Sequence, residues 1–490
     1  MKAHLLLSLG CLALPLLSQQ GPPLPGDIFR WGELLQDQEV IGHFAVTTET
    51  DESLETDIFT LTLYDSDLHP IGAKTYPARP TFSVQDAVYD GGRIAILVRA
   101  EKGASVEVLN ADATTVAYHV LQDPQPDGAN SLYAMAKGFL VVEEYPIRSG
   151  NAALGVNGRL EFLATTPEGL SWNRRFGNPK ARSSSTTLKV LEPHDDILLV
   201  EVVTEVRGGS TPGVRSTLHA INPRTGADLF TIPLPLQRPH APASFYAAAY
   251  SDSTVRVLTH TPDFGLKRKM YAGSTELSTY DRTGRELTRV ALDLRGLAAA
   301  YRRELEQLPL DDRTEFNLDV AGFSPSGDLS VIAATMLRLK NKVTFMQSFV
   351  YGFTSSGTLR DIVDIERLPL TVPAHFLGRG GPGLMGYQPQ DAMLARQIIA
   401  HRGPSNHALT TKLSGTVSHY FWDRDLVQTG TEYRGIYALT LRDGAFVREH
   451  IPLTDFPYGF LLPARPGYVL LIEPDKESGR PAPHLKRLVR

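Results

Sequence analysis

The stretch TLHAINPRTGADLFTIP, Thr217–Pro233, decides how the chain is read. Two extended runs, Thr217 to Ile221 and Leu229 to Ile232, flank turn residues: Asn222 can bond its own backbone, Pro223 presets φ and Gly226 supplies a positive φ. That pattern predicts a β-hairpin. Units of the same kind recur at Phe59–Tyr76, Ser105–Leu121, Leu160–Phe176, Glu276–Leu292, Phe349–Ile365 and Ile436–Pro452. A second hairpin type alternates with them, starting at Ser83, Ser131, Leu188, Ser244, Asn317, Pro373 and Pro457. Its second strand is apolar on both faces, as in Ile94-Ala95-Ile96-Leu97-Val98, which requires burial from two sides. One hairpin of each type makes a four-stranded unit, and such units repeated along a chain predict a β-propeller.

The expected fold is therefore all-β, a propeller of seven or eight four-stranded blades, eight favoured, with short helical insertions. Six complete units run from Ser83 to Pro452. If Ile28–Tyr76 and Phe456–Arg490 each seed a blade the count is eight; if they share one it is seven. Closure, by the strand near Ile28–Trp31 or by the final one at His484–Arg490, removes exposed sheet edges. Two segments carry helical spacing instead: one with Leu297, Tyr301, Leu305 and Leu308 on a stripe, the other starting at Pro389 with Leu394, Ile398 and His401. The longest insertion is placed at 390–433, either a lid or a decoration of the surface.

The 490 residues contain one cysteine, Cys11, inside an apolar run from Leu5 to Leu17 that has the layout of a secretory signal peptide. The expected organisation is a signal peptide over 1–18, a linker over 19–27 and one propeller domain over 28–490. The alternatives at this end are an uncleaved anchor and lipidation at Cys11. A cut at Ser18 leaves a chain without cysteine, excluding disulfides and thiolate chemistry. This reading expects a periplasmic or secreted monomer with no transmembrane segment after signal removal. The net charge of −5, mixed in sign along the chain, gives no nucleic-acid footprint.

Ala220-Ile221-Asn222-Pro223-Arg224-Thr225-Gly226 with Phe230 resembles the repeat of quinoprotein propellers, in which an Asp stands at the place of Asn222 and a Trp at that of Phe230. Thr279–Gly284 and, more loosely, Thr166–Gly169 with Trp172 are similar, while Phe323–Asp328 resembles the hairpin of WD-like bacterial propellers. The resemblance covers the repeat units and concerns fold. It would imply a quinone cofactor in the channel and, in many members, a vicinal cysteine pair that this chain lacks; the aromatic docking position is filled only at Phe230 and Trp172.

No Gly-x-Ser-x-Gly elbow, Walker loop or His-Glu-x-x-His helix is present. Gly378–Gly383 fits a dinucleotide-binding glycine pattern by letter but runs on into a strand rather than a helix. His401, His407 and His419 match no standard ligand spacing and are read as surface or capping histidines. The acidic run Glu49, Asp51, Glu52, Glu55 and Asp57 lacks the spacing of a calcium loop. No cofactor is predicted, with calcium or a quinone as the alternatives. Aligning the inner hairpins brings Asp86, Tyr133, Lys189, Tyr246, Asp319, His375 and Tyr458 to one place near the start of the innermost strand. Lining the channel, they would form a polar ring able to bind a ligand. The expected function is an exported, non-catalytic propeller that binds a protein, glycan or other ligand. The alternative is a small-molecule enzyme, lactonase-like or quinone-dependent, working in the channel.

Overall fold

In the computed structural model, residues 19–373 and 407–488 are described, apart from interruptions of at most eight residues. Their strands form eight four-stranded antiparallel sheets in chain order, the blades of a propeller. The innermost strands of blades 1 to 8 are Asp27–Gln36, Ser83–Asp90, Ala129–Met135, Ser184–Pro193, Ser244–Ser251, Thr314–Phe323, His407–Leu413 and Leu461–Pro463. Each touches the next, and the eighth touches the first, so the ring closes.

The core is divided among eight apolar clusters, one for each seam between neighbouring blades. This explains the doubly apolar strands. Ile94, Ile96 and Val98 pack into the seam between blades 1 and 2, whereas Ala95 and Leu97 pack into the seam between blades 2 and 3. A period of two along the strand sends alternate side chains to opposite faces, and both faces are buried.

The outer strands interlock through the turns. Trp172, on the outermost strand of blade 3, lies against Gly226 in the turn of blade 4, and its indole Nε1 donates to the Pro223 carbonyl at 2.7 Å. Phe230 of blade 4 packs in the same way on Gly284 of blade 5. Both glycines have positive φ, +71° and +82°, and a Cβ on either would sit within 2.7 Å of the ring. Glycine is thus required twice, by the backbone and by the neighbour.

The two ends of the described chain meet in blade 8. Residues 461–487 supply three strands, and Gln19–Gln20 pairs with His484 and Leu485 as the fourth. The Gly21 and Leu24 amides donate to Pro483 and Pro481, and Leu24 is wholly buried. Residues expected to form a linker therefore fasten the ring, and Asp27–Tyr76 forms a complete blade of its own.

Two expected features differ. The inner hairpin of blade 7 is His407–Leu413 with Thr416–Val427, so residues 407–433 include blade strands, not only an insertion. The hairpin expected from Pro373 lies outside the described residues apart from Pro373 itself, which ends a strand, Leu370–Pro373, paired with Lys342–Phe345 of blade 6. The first helix forms over Leu294–Glu304, capped by Asp293, whose side chain accepts from the Gly296 amide. It ends one residue before Leu305, which is exposed. The second expected helix lies outside the described residues. Among those described, no helix is long and apolar enough to cross a membrane.

Candidate functional site

A β-bulge explains where the expected ring residues fall. In blades 2, 5 and 6 the innermost strand carries one extra, bulged residue outside the strand register, which is Gln85, Tyr246 and Asp319 respectively. Asp86 therefore stands one position beyond Tyr246 and Asp319, and adjacent strand residues face opposite ways. Its carboxylate is 8% exposed and faces its neighbours: Oδ2 accepts from the Leu132 amide of blade 3 at 2.9 Å, and Oδ1 lies 3.1 Å from Arg30 Nε of blade 1.

The same bond recurs around the ring. Glu144 of blade 3 accepts from the Leu188 amide of blade 4, and Glu201 of blade 4 accepts from the Phe245 amide of blade 5. Each carboxylate pins the next innermost strand through a charged acceptor, buried at Asp86 and Glu201 and half-buried at Glu144. Desolvation raises the Glu144 pKa despite that bond.

Tyr133, Lys189 and Tyr246 do come close to these clasps. Burial raises the Tyr133 phenol, with Asp86 and Glu144 adding to the shift. Lys189 donates from Nζ to the Phe245 carbonyl at 3.2 Å and stands 5.5 Å from the Tyr246 ring centroid. Desolvation lowers its ammonium pKa, opposed by Glu201. Asp319 is placed by its backbone alone, and His375 and Tyr458 lie outside the described residues. The ring members that are placed thus form two pairs, Asp86 with Tyr133 and Lys189 with Tyr246, engaged in holding blades together.

His419 is likewise structural. It is fully buried, with Nε2 2.7 Å from Ser330 Oγ of blade 6 and Nδ1 2.8 Å from Thr410 Oγ1, rather than a surface histidine. Among the described residues, no group of three or more His, Cys, Asp or Glu side chains could hold a metal ion.

A cavity among the described residues lies elsewhere. A cavity of about 400 Å³ separates blades 7 and 8 at their first turns, with Glu39 and Val40 of blade 1 at its edge. Its floor is a row of hydroxyls in register across three strands of blade 7, Thr411 opposite Ser418 and Ser418 opposite Thr440. All three are buried, and Ser418 and Thr440 bond each other at 2.7 Å. Tyr420, Arg442 and Glu449 stand beside the row, and Arg465 and Tyr468 of blade 8 face it. Burial raises the Tyr420 phenol, which keeps it a neutral donor.

Two neighbouring seams are filled at this level among the described residues. Near the corresponding turn of the seam between blades 6 and 7, Leu441 and Phe446 crowd Gly352 and His419 fills the space beside Ser330. In the seam between blades 5 and 6, Phe323, Leu329 and Phe353 are packed into the core. Buried hydroxyls facing open space are a departure from that packing, and a concave, polar-lined cavity is the setting in which proteins hold small molecules.

The expected site included none of these residues, because Thr411–Tyr420 had been placed in an insertion. The available signal was Leu413-Ser414-Gly415-Thr416, a Ser-Gly turn between two alternating runs.

No protein-family model and no curated protein matches the chain. Among solved structures it is similar to one from a study of two prolyl endopeptidases, with 14% identity over 96% of this chain and 54% of that one, at a TM-score of 0.41. It is also similar to the polysaccharide lyase Uly1, with 10% identity over 86% and 92% of the two chains and a TM-score of 0.41. The β-propeller domain of the trilobed protease from Pyrococcus furiosus matches at 11% identity over 87% and 96%, with a TM-score of 0.36. The chain spans about half the length of the first of these. Likenesses this slight do not bear on activity.

Proposed function

We propose that the protein is an exported, non-catalytic β-propeller that binds a small polar ligand in the cleft between blades 7 and 8. One observation carries the reading: the seam between blades 7 and 8 holds a cavity of about 400 Å³ floored by the buried hydroxyl row Thr411, Ser418 and Thr440. The size is toward the lower end of the ~300–1,000 Å³ of small-molecule sites. Binding rather than turnover is favoured because the acid, base and cation first expected to do chemistry, Asp86 and Lys189 among them, are occupied in bonds between blades. Export is supported by the apolar run Leu5–Leu17 and by the confinement of the single cysteine to it.

The test is thermal melting of the purified protein against calcium, a quinone cofactor, lactones, organic acids and oligosaccharides, repeated with Thr440→Val. A ligand at 100 times its Kd adds about 2.7 kcal/mol and a measurable shift. The expected result is a shift with at least one ligand that Thr440→Val abolishes. Shifts that survive Thr440→Val, or that Lys189→Met abolishes instead, would move the site to the channel and reopen the enzyme reading. Amino-terminal sequencing of protein from the native envelope checks export: an intact Met1 would overturn it.

A further inference from the structure

We infer that the ligand of this cleft is a neutral saccharide presenting neighbouring hydroxyl groups, an inference that rests on the reading of the cleft as the binding site. Charge comes first. The described lining holds two guanidinium groups, Arg442 and Arg465, and two carboxylates, Glu449 and, exposed at the edge, Glu39. Each guanidinium also has a carboxylate at hand: Arg442 Nη1 lies 3.8 Å from Glu449 Oε1, and Arg465 Nη1 bonds Asp67. A carboxylate ligand would have to displace such a partner, and an ammonium group would have to draw Glu449 from Arg442 or settle at the solvated edge beside Glu39, where attraction is weak. The pairing favours a neutral ligand in the interior of the cleft.

Hydrogen bonding points the same way. Thr411, Thr416, Ser418, Thr440 and Tyr420 line the cleft with hydroxyls; Ser418 bonds Thr440, Tyr420 bonds Thr411 and Thr416 donates to the Leu413 carbonyl, and the groups keep a mixture of donor and acceptor capacity beyond these bonds. A carboxylate ligand only accepts and an ammonium only donates, whereas a ligand hydroxyl can meet both kinds of site. The buried Nε of Arg465 has no hydrogen-bond partner among the described residues, which leaves a donor for an incoming oxygen. A guanidinium and a carboxylate placed a few ångströms apart, as Arg442 and Glu449 are, can share the two oxygens of a vicinal diol, one donating to it and the other accepting from it. Leu413, Ala464 and Leu488 complete the lining with apolar surface suited to the C–H face of a sugar ring.

The experiment is titration calorimetry of the purified protein with maltose, lactose and chitobiose as neutral saccharides, succinate as an anion and spermidine as a cation, repeated with Thr440→Val and Glu449→Gln. At least one saccharide should bind 10-fold or more tightly than succinate and spermidine, and Thr440→Val or Glu449→Gln should weaken it at least 10-fold. Glu449→Gln keeps the shape of the side chain and serves if Thr440→Val does not fold. Succinate or spermidine binding that these variants abolish, with no saccharide bound, overturns the saccharide inference and leaves the cleft as the site. Saccharide binding untouched by both variants, or no binding in any class, overturns the inference and the cleft reading together.

Discussion

Gly226 tests how blades are locked, because a single Cβ there meets two separate penalties. Its φ of +71° is a left-handed conformation that costs a non-glycine residue about 1–2 kcal/mol. The Cβ would also lie 2.6 Å from Trp172 Cε3, so the indole must move. Displacing it endangers the 2.7 Å bond from Nε1 to Pro223, worth about 1 kcal/mol, and part of the packing of a half-buried ring. Gly226→Ala should therefore cost about 2–4 kcal/mol. Gly91 supplies the control: its φ is +57° and nothing lies within 4 Å of the position of its Cβ, so Gly91→Ala should show the backbone cost alone, about 1–2 kcal/mol. In a Trp172→Ala background the cost of Gly226→Ala should fall to that of Gly91→Ala, a coupling of about 1–2 kcal/mol. Urea unfolding with unchanged m-values measures the native chain and the four variants. Equal costs at the two glycines, or no relief on removing the indole, would refute the locking argument.

Asp86→Ala leaves the Leu132 amide without its acceptor, so it should cost about 1–3 kcal/mol and speed hydrogen exchange at Leu132; exchange as slow as in the native chain would show that the clasp holds nothing. His43 is fully buried and donates from Nε2 to the Pro463 carbonyl across the seam between blades 8 and 1, and burial lowers its pKa from 6.5 to about 4. Folding thus requires neutral imidazole: its stability contribution is whole above pH 6.5 and is lost as pH falls toward 4, up to about 3 kcal/mol. His43→Gln should flatten the pH dependence of stability over that window; an unchanged slope would assign it to other groups, such as His484, whose pKa is also lowered. Removing residues through Leu24 should destabilise the ring by at least about 2 kcal/mol relative to removal through Ser18, since a fully buried leucine and the pairing of Gln19 and Gln20 are lost; equal melting of the two proteins would contradict this.

The hairpins were legible because their signals are local. Gly226, Gly284, Gly327 and Gly357 all have positive φ in the turns where the letters place them, and runs such as Ile94–Val98 declare two buried faces. Blade closure was not legible, because Gln19 and Gln20 join blade 8 through backbone bonds that leave no pattern in side chains. The alignment of the ring slipped by one residue at blade 2: the bulged position equivalent to Tyr246 is Gln85, and Asp86, the next residue and the charged one, faces the other way. The cleft was missed because Thr411 and Ser418 fall in a stretch that reads as an insertion, and only register lines them up with Thr440 of the recognised hairpin Ile436–Pro452.

Blade 8 also bears on how the chain could be rewired. Gln19 pairs with Leu485, so the described ends of the polypeptide lie side by side although they are far apart in sequence. A short glycine-rich bridge between them would make the backbone endless, and a new start could then be cut between any two blades, since most pairings run between consecutive strands. Opened at Ser83, such a permutant would hold its eighth blade together by an ordinary turn and leave the seam between blades 1 and 2 as the place where the ring must meet itself.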